Sequence, residues 1–222
     1  FKNIVDPEIA YFLGFFWADG SMGYKNNNPV SLNIEITTKD FLKIKPIISK
    51  YIVLTEYHRS RPNRQPQSRL CISDAQLARY LIDTWQVNQK SEFFPDLTNK
   101  IPEHLIKFFI RGYIDGDGHI PKDGRLQIAA SFDYDWSNLF NLLKYKLNID
   151  KNDIKIRKWI SKLGHKASSI RIKKYSAQKI LNYIYDIEYD GIGLPRKFKA
   201  AKLVKYHKIE GKTGWTVSVP AS

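Results

Sequence analysis

The stretch FLGFFWADG at residues 12–20 decides the fold, and IRGYIDGDG at residues 110–118 repeats its pattern. Each stretch is typical of an apolar helix that ends in Asp followed by Gly. The two acids, Asp19 and Asp117, lie 98 residues apart (117 − 19) in a chain of 222 residues, which indicates a duplicated half. An acid is unfavourable at a helix C-terminus because the macrodipole and the unpaired last carbonyls already make that end negative. Two such helix ends indicate that a positive group binds there.

An ordinary turn is the alternative explanation for each acid. Ala-Asp-Gly and Gly-Asp-Gly suit turns, since Asp tolerates turn conformations and Gly supplies a left-handed cap. Turn chemistry does not explain why both acids follow an apolar helix with an internal glycine, Gly14 or Gly112. Because a glycine lets two helix backbones approach closely, we expect the two helices to pack on each other and to bring both carboxylates together. Such a cluster of oxygen atoms suits Mg²⁺ and other hard divalent ions.

The segments after the two motifs follow the same order. Residues 30–37 and 125–132 each alternate apolar and polar side chains, which predicts a strand with one buried face. Further helices are predicted at residues 41–51, 75–85, 136–147 and 177–187, and further strands at 52–59, 68–73, 154–160 and 169–173. The predicted fold class is α+β, with two pseudo-symmetric αββαββα halves. Each half contains a curved antiparallel sheet, and the halves pack through the motif helices to form a saddle. They comprise residues 1–85 and 102–222, joined by a connector at 86–101, and a basic helix over 195–207 ends the second half.

The charge of the chain indicates a polyanionic partner. The net charge is +14 and the pI is about 9.7. A membrane surface is the rival partner, but the basic residues are spread through the chain and no apolar run is long enough to span a bilayer. Cys71 is the only cysteine, so no intrachain disulfide is possible and a reducing compartment is expected. The five histidines are scattered and show no zinc-ligand spacing.

Through both motifs, both strand patterns and the repeat length, nearly the whole chain resembles the LAGLIDADG homing endonucleases, in the single-chain form with two motifs. The resemblance implies that the eighth motif residue, Asp19 or Asp117, is a catalytic and metal-binding acid. It implies further metal ligands in the peptide carbonyls of Ala18 and Gly116. It also implies Mg²⁺ or Mn²⁺ as the cofactor, with Ca²⁺ supporting DNA binding more than cleavage. The sixth motif position differs between the copies, and we expect Asp115 to be a polar group near the helix interface without a metal role.

Two lysines near the ends of the halves resemble active-site lysines of this family. Lys90 lies in the sequence Asn-Gln-Lys-Ser and Lys197 in Leu-Pro-Arg-Lys. We expect both to be catalytic, because an ammonium group there organises water or offsets developing charge. The alternative is that they are ordinary surface lysines. The family also has a polar, water-holding residue at the end of the first strand of each sheet, where the strand alignment places Thr38 and Phe132. Phe132 cannot hold water, so unequal cutting of the two DNA strands is expected.

The polar strand faces are the predicted DNA-binding surface. The major groove admits a two-stranded ribbon, and Arg, Gln, Asn and Glu side chains recognise base edges there. The predicted contacts are Ser31, Asn33, Glu35, Thr37 and Arg69 in the first half, and Arg125, Gln127, Lys155, Arg157, Arg171 and Lys173 in the second. The alternative is that these are the polar faces that any solvated sheet presents. Trp159 is the one tryptophan whose strand position is expected to face DNA.

These patterns favour a site-specific DNA endonuclease that uses a divalent metal. The family resemblance implies that it cuts both DNA strands across the minor groove and leaves staggered ends. The expected enzyme is a monomer that acts on double-stranded DNA with a long, near-asymmetric target, without a membrane or a protein partner. The second hypothesis is an RNA maturase of the same fold, which the retention of both acids disfavours. The third is a DNA-binding regulator, although no additional helix-turn-helix segment is present in the sequence.

Overall fold

The computed structural model of the protein describes residues 4–60, 62–63, 65–185 and 188–206. These residues form seven α-helices and eight strands in two antiparallel sheets. No helix within these ranges combines the length and apolar composition that a membrane crossing requires. Residue 207, the predicted end of the terminal helix, and residue 187, the predicted end of the preceding one, lie outside the described residues.

The first half has the predicted αββαββα order. Its elements are α1 (Pro7–Asp19), β1 (Gly20–Lys25), β2 (Asn28–Thr37), α2 (Thr38–Ile48), β3 (Thr55–Arg59), β4 (Gln67–Ile72) and α3 (Ala75–Trp85). The strands form one sheet in the order β1-β2-β4-β3, with antiparallel neighbours. Alternation along β2 and β4 buries Leu32, Ile34 and Leu70 beneath the helices, as the period of two predicts.

The second half repeats this order. Its elements are α4 (Ile106–Asp117), β5 (Gly118–His119), β6 (Leu126–Ala130), α5 (Ser137–Leu147), β7 (Ile154–Ile160), β8 (Lys166–Ile172), α6 (Lys174–Ile184) and a terminal α7 (Pro195–Tyr206). The sheet order is β5-β6-β8-β7, again antiparallel. Gly20 pairs with Ile34 in the first sheet and Gly118 pairs with Ile128 in the second. The two motifs therefore enter their sheets in the same register, so the pseudo-symmetry extends to individual residues.

The connector lies against the second motif helix. Phe94 is fully buried in edge-to-face contact with Phe109 and Tyr113 of α4. Its backbone N–H donates to the carbonyl of Asp135 at 3.1 Å. The segment at 86–101 therefore packs as part of the core and fixes the position of Lys90, which it carries.

Most of the predicted helices and strands differ from the structure by one to three residues at one or both ends. Asn26 and Asn27, whose φ values of 49° and 61° suit a tight hairpin turn, join β2 to the strand β1, which the sequence patterns did not predict. The predicted strand at 125–132 ends at Ala130, so the expectation that Phe132 ends a strand is wrong. Phe132 lies in a turn, with the Lys158 ammonium 4.8 Å from its ring centroid. The strand predicted at 169–173 is β8, which ends one residue before Lys173.

Candidate active site and nucleic-acid interface

The two motif helices, α1 and α4, cross at their glycines. A methyl group added at Gly14 would lie 1.9 Å from the carbonyl oxygen of Phe109, and one at Gly112 would lie 2.0 Å from that of Tyr11. These separations leave no room for any side chain. The expected role of the glycines in close helix packing is therefore confirmed, and this crossing joins the two halves.

The crossing brings the ends of both helices, and their acids, to one place. A Cβ atom at Gly116 of α4 would lie 3.1 Å from Asp19 Oδ2 and 2.4 Å from the Ala18 methyl group, so the first acid stands against the end of the second helix. Asp19 is exposed and Asp117 is partly buried. Both helices then turn into extended backbone at Gly20 and Gly118. The seam, meaning the junction of these two helix ends, therefore presents two carboxylates with one side open to solvent.

The electrostatics of the seam penalise two ionised acids. Burial, followed by the negative charge of Asp19, raises the pKa of Asp117 from 3.8 to about 7. Desolvation also raises the pKa of Asp19. The positive charges of Lys90 and Lys197 oppose both shifts without cancelling them. Because two like charges share a partly desolvated site, a bound cation would relieve the penalty.

Both predicted lysines reach the seam. Lys90 Nζ donates to the carbonyl oxygens of Trp17 at 3.0 Å and Ala18 at 2.8 Å. Lys197 Nζ donates to the carbonyl oxygens of Ile114 at 3.2 Å and of Gly118. Burial lowers the pKa of each lysine. The charges of Asp117 and Asp19 oppose this shift for Lys90, and those of Asp115 and then Asp19 oppose it for Lys197. Lys197 is only 6% exposed, which an ordinary surface lysine would not be.

The groups at the seam fit a hard divalent ion. Two carboxylates and the helix-end carbonyls are oxygen donors, which Mg²⁺ and Mn²⁺ prefer. The Ala18 carbonyl already accepts from Lys90, but a carbonyl oxygen has a second lone pair. Across the described part of the chain, no three His, Cys, Asp or Glu side chains form a metal-binding group. The remaining ligand positions would therefore fall to backbone, water or substrate oxygens.

On the open face of the first sheet, most side chains are uncharged. The strand register aligns Ser21, Asn33, Cys71 and Thr55 in one row, Glu35, Arg69 and Tyr57 in the next, and Thr37, Gln67 and Arg59 in a third. Arg69 Nη2 bonds Glu35 Oε2 at 2.6 Å, so these two charges neutralise each other. Tyr57 is 58% exposed beside this pair. Sequence analysis missed Tyr57 and Arg59, although both lie in a strand that it predicted.

The second sheet carries most of the positive charge. The register aligns His119, Gln127, Arg171 and Lys155 in one row, and Ala129, Ser169 and Arg157 in the next, followed by Ala167 and Trp159. Lys155 and Arg157 are exposed, and Trp159 is 45% exposed on the same face. Desolvation, then the charges of Arg157 and Arg125, lower the pKa of Arg171. Several cations are therefore crowded on this sheet.

Besides Glu35 and Arg69, four more of the predicted DNA contacts are engaged or buried within the protein. Ser31 is 9% exposed, so the polar face of β2 does not present it to solvent. Thr37 caps α2 by accepting from Asp40 N. Arg125 is paired with Asp123, and Lys173 lies beyond β8 with its ammonium 3.0 Å from Asp153 Oδ1. Thr38, the predicted water-holding residue, instead bonds the buried Ser68 hydroxyl at 2.8 Å.

Neither a protein-family model nor a curated protein sequence matches the chain. Solved structures do match. I-DmoI in complex with DNA and Ca aligns with a TM-score of 0.55 and 16% identity, over 88% of this chain and 97% of that chain. Meganuclease I-SmaMI bound to uncleaveable DNA aligns with a TM-score of 0.51 and 14% identity, over 91% and 90%. The fold is that of the two-domain LAGLIDADG meganucleases.

A further structural match is not described as a nuclease. Full-length DUF199/WhiA from Thermotoga maritima aligns with a TM-score of 0.52 and 16% identity, over 95% of this chain and 64% of that chain. At such low identity these similarities show the fold alone, and one fold supports different functions. The function of this chain therefore has to be argued from its own seam and sheet faces.

Proposed function

We propose that this protein is a site-specific DNA endonuclease that cuts both strands of a long, near-asymmetric target across the minor groove. It acts as a monomer and uses a divalent metal. The observation that carries the proposal is the meeting of Asp19 and Asp117 at the α1–α4 crossing, with one side open to solvent. Matches to I-DmoI, a homing endonuclease, and to meganuclease I-SmaMI, both in complex with DNA, support it.

Asp19 and Asp117 would hold the metal, with carbonyl oxygens of Ala18 and Gly116 as further ligands. A divalent ion supplies neutralisation of the phosphate, activation of water and stabilisation of the leaving oxygen. Structures of I-DmoI contain Ca or Mn, which supports a divalent cofactor here. We propose Mg²⁺ or Mn²⁺ for cleavage, with Ca²⁺ supporting binding more than cleavage.

Lys90 and Lys197 would act beside these acids. Each ammonium group holds carbonyls at the end of one motif helix, which fixes its position relative to the carboxylates. A fixed cation there offsets the negative charge that develops on a phosphate as its bond to the leaving oxygen breaks. Each ammonium also has a proton to donate toward that oxygen.

The two sheet faces would bind the target on either side of the cut. The cations of the second sheet, such as Lys155 and Arg157, would neutralise phosphates. Asn33 and Gln127 occupy equivalent positions in the two sheets, and their amides suit recognition of adenine in the major groove. The exposed rings of Tyr57 and Trp159 would lie against sugars or bases.

The decisive experiment is selection of cleaved sites from a randomised DNA library. Cleavage of one defined sequence in Mg²⁺, and binding without rapid cleavage in Ca²⁺, are expected. Asp19→Asn and Asp117→Asn are expected to abolish cleavage, whereas Asp83→Asn, an exposed acid on α3, serves as the matched control. A wild-type protein that cuts no member of the library in Mg²⁺ or Mn²⁺ would refute the proposal.

The same variants separate the endonuclease from the other two hypotheses. An RNA maturase would support intron splicing with both acids replaced, because RNA binding does not require them. A DNA-binding regulator would bind one duplex sequence and leave it intact in every metal. Loss of cleavage in the acid variants, with DNA binding retained in Ca²⁺-free buffer, favours the endonuclease alone.

A further inference from the structure

A buried polar network joins the second motif helix to the start of α7, which carries Lys197. At its centre is Asp115, which is 1% exposed and lies two residues before Asp117. Asp115 Oδ2 accepts from the Tyr11 hydroxyl of α1 at 2.9 Å and from the backbone N–H of Leu194 at 2.7 Å, and Oδ1 accepts from the Tyr185 hydroxyl. The network therefore includes both motif helices and the loop before α7.

Leu194 connects this network to α7 through its backbone hydrogen bonds. It immediately precedes α7, and its carbonyl oxygen accepts from the backbone N–H of Lys197 at 2.9 Å and of Phe198 at 3.2 Å. Asp115 thus accepts a hydrogen bond from the Leu194 N–H, and the Leu194 carbonyl in turn accepts hydrogen bonds from the first turn of α7. Displacing Leu194 would move the first turn of α7, and with it the buried Lys197 ammonium.

The loop before α7 has a second attachment to the same motif helix. Arg111, 2% exposed, donates through Nη1 to both Asp190 carboxylate oxygens at 2.8 and 2.7 Å and to the Ile192 carbonyl at 2.9 Å. Gly193 lies between the two attachments at a φ of +113°, where an added Cβ would be 2.9 Å from Asp115 Oδ2. This loop conformation therefore requires a glycine.

Among the described residues of the first half, no equivalent of this network is present. Arg111 and Asp115 occupy the second and sixth motif positions, which hold Leu13 and Trp17 in the first copy. Both of those side chains are buried, and neither is charged. Lys90 is positioned instead by its connector, where its backbone N–H donates to the Val87 carbonyl at 3.3 Å. The two seam lysines are therefore held by different interactions.

We propose that Asp115 is a positioning residue that holds the start of α7 so that Lys197 reaches the second motif, and that its loss slows cleavage of one DNA strand more than the other. The unequal effect on the two DNA strands follows because the interactions described for Lys90 and its connector do not involve Asp115. This inference rests on the proposed endonuclease function, so its test includes one readout that does not depend on DNA cleavage.

The first readout is the reactivity of Lys197 toward an amine-acylating reagent, followed by peptide mass spectrometry. The exposed Lys199 of the same helix is the internal reference. In the wild type, burial protects Lys197. In Asp115→Ala, labelling of Lys197 relative to Lys199 is expected to rise about tenfold or more as the helix start loosens. Unchanged relative labelling would overturn the proposal whether or not the protein cuts DNA.

The second readout is the rate of cutting of each strand of a duplex that carries a different label on each strand. Asp115→Ala is expected to change the ratio of the two rates by about 10- to 100-fold, because small misplacements of catalytic groups are costly. Leu139→Ala, a buried core change in α5, is the control for lost stability and should leave the ratio unchanged. Equal slowing of both strands in Asp115→Ala would overturn the strand bias.

Two further variants keep the test decisive. Asp115→Asn retains an oxygen that accepts from the Leu194 amide, so it should restore most of the Lys197 protection and of the strand ratio. If Asp115→Ala does not fold, Gly193→Ala disturbs the same contact from the loop side and should reproduce both changes. A wild type that does not cut DNA refutes the proposed function, and the labelling result still decides the role of Asp115.

Discussion

Replacing Asp117 with Asn is predicted to stabilise the metal-free protein at neutral and alkaline pH. Burial and the charge of Asp19 raise the pKa of Asp117 from 3.8 to about 7, so its ionisation disfavours the folded state. Asn has a similar shape and carries no charge. The substitution therefore removes the electrostatic penalty at the seam while leaving the α1–α4 crossing in place.

The magnitude follows from the pKa shift. One unit corresponds to about 1.4 kcal/mol, so a rise from 3.8 to about 7 gives an upper limit of about 4 kcal/mol in the free energy of unfolding. Asp19 and Asp117 titrate as a coupled pair, and Asp19 alone retains part of the penalty. We therefore expect Asp117→Asn to gain about 2–4 kcal/mol at about pH 8.

The difference in stability between Asp117→Asn and the wild type depends on pH. The folded-state pKa lies above the unfolded value, so the folded wild type binds more protons between about pH 4 and about pH 7 and loses stability as pH rises through that window. Below it, Asp117 is protonated in both states and carries no penalty. The advantage of the variant should therefore be near zero at about pH 4 and reach its maximum above about pH 7.

Urea denaturation in EDTA, followed by circular dichroism across this pH range, measures the difference directly. Comparing variant with wild type cancels the titration of other groups. Asp83→Asn, the exposed acid on α3, should show no comparable gain. A variant equal to or less stable than the wild type at about pH 8, or a gain of the same size at about pH 4, would refute the reasoning.

Three further changes test the helix crossing, the α7 attachment and the basic sheet. Gly14→Ala should lose more than about 3 kcal/mol of unfolding free energy in urea, whereas Gly164→Ala, which meets no neighbour and changes only a positive-φ site, should lose about 1 kcal/mol. Equal losses would contradict the close approach. Arg196→Met breaks an ion pair in which Arg196 donates to both carboxylate oxygens of Asp40 in α2. It should lower the free energy of unfolding in urea by about 1 kcal/mol, and by less at high salt. A loss that does not depend on salt would indicate packing instead of charge. Arg157→Ala should reduce the slope of log binding constant against log salt by about one in fluorescence anisotropy with duplex DNA. Lys43→Ala on α2 should leave the slope unchanged. An equal reduction of the slope in both variants would show that DNA does not bind the second sheet specifically.

The sequence was most informative where local patterns decide the structure. The helix predicted at 75–85 is α3 without any change of bounds, because Asp74 caps it and its apolar residues repeat at helical spacing. The motif glycines predicted the close approach of α1 and α4, since only glycine fits there. Both predicted lysines reach the seam, where each donates to carbonyl oxygens at the end of one motif helix.

The rest depended on contacts between residues far apart in the chain. Asp115 finds its partners 70, 79 and 104 positions away, so no local pattern reveals that it holds Leu194. The strand β1 carries two glycines and no clean alternation, and it is recognisable only because β2 pairs with it. Lys173 continues the alternation of β8 but lies past the strand end, because α6 begins at the next residue.

The central claim is that the two seam carboxylates hold a divalent cation. Crystals of the wild type and of Asp19→Asn grown with Mn²⁺ test it through anomalous scattering. The account predicts a strong manganese peak between the carboxylates of Asp19 and Asp117 in the wild type, and its loss in the variant. No peak at the seam of the wild type, or an undiminished one in the variant, would contradict the claim.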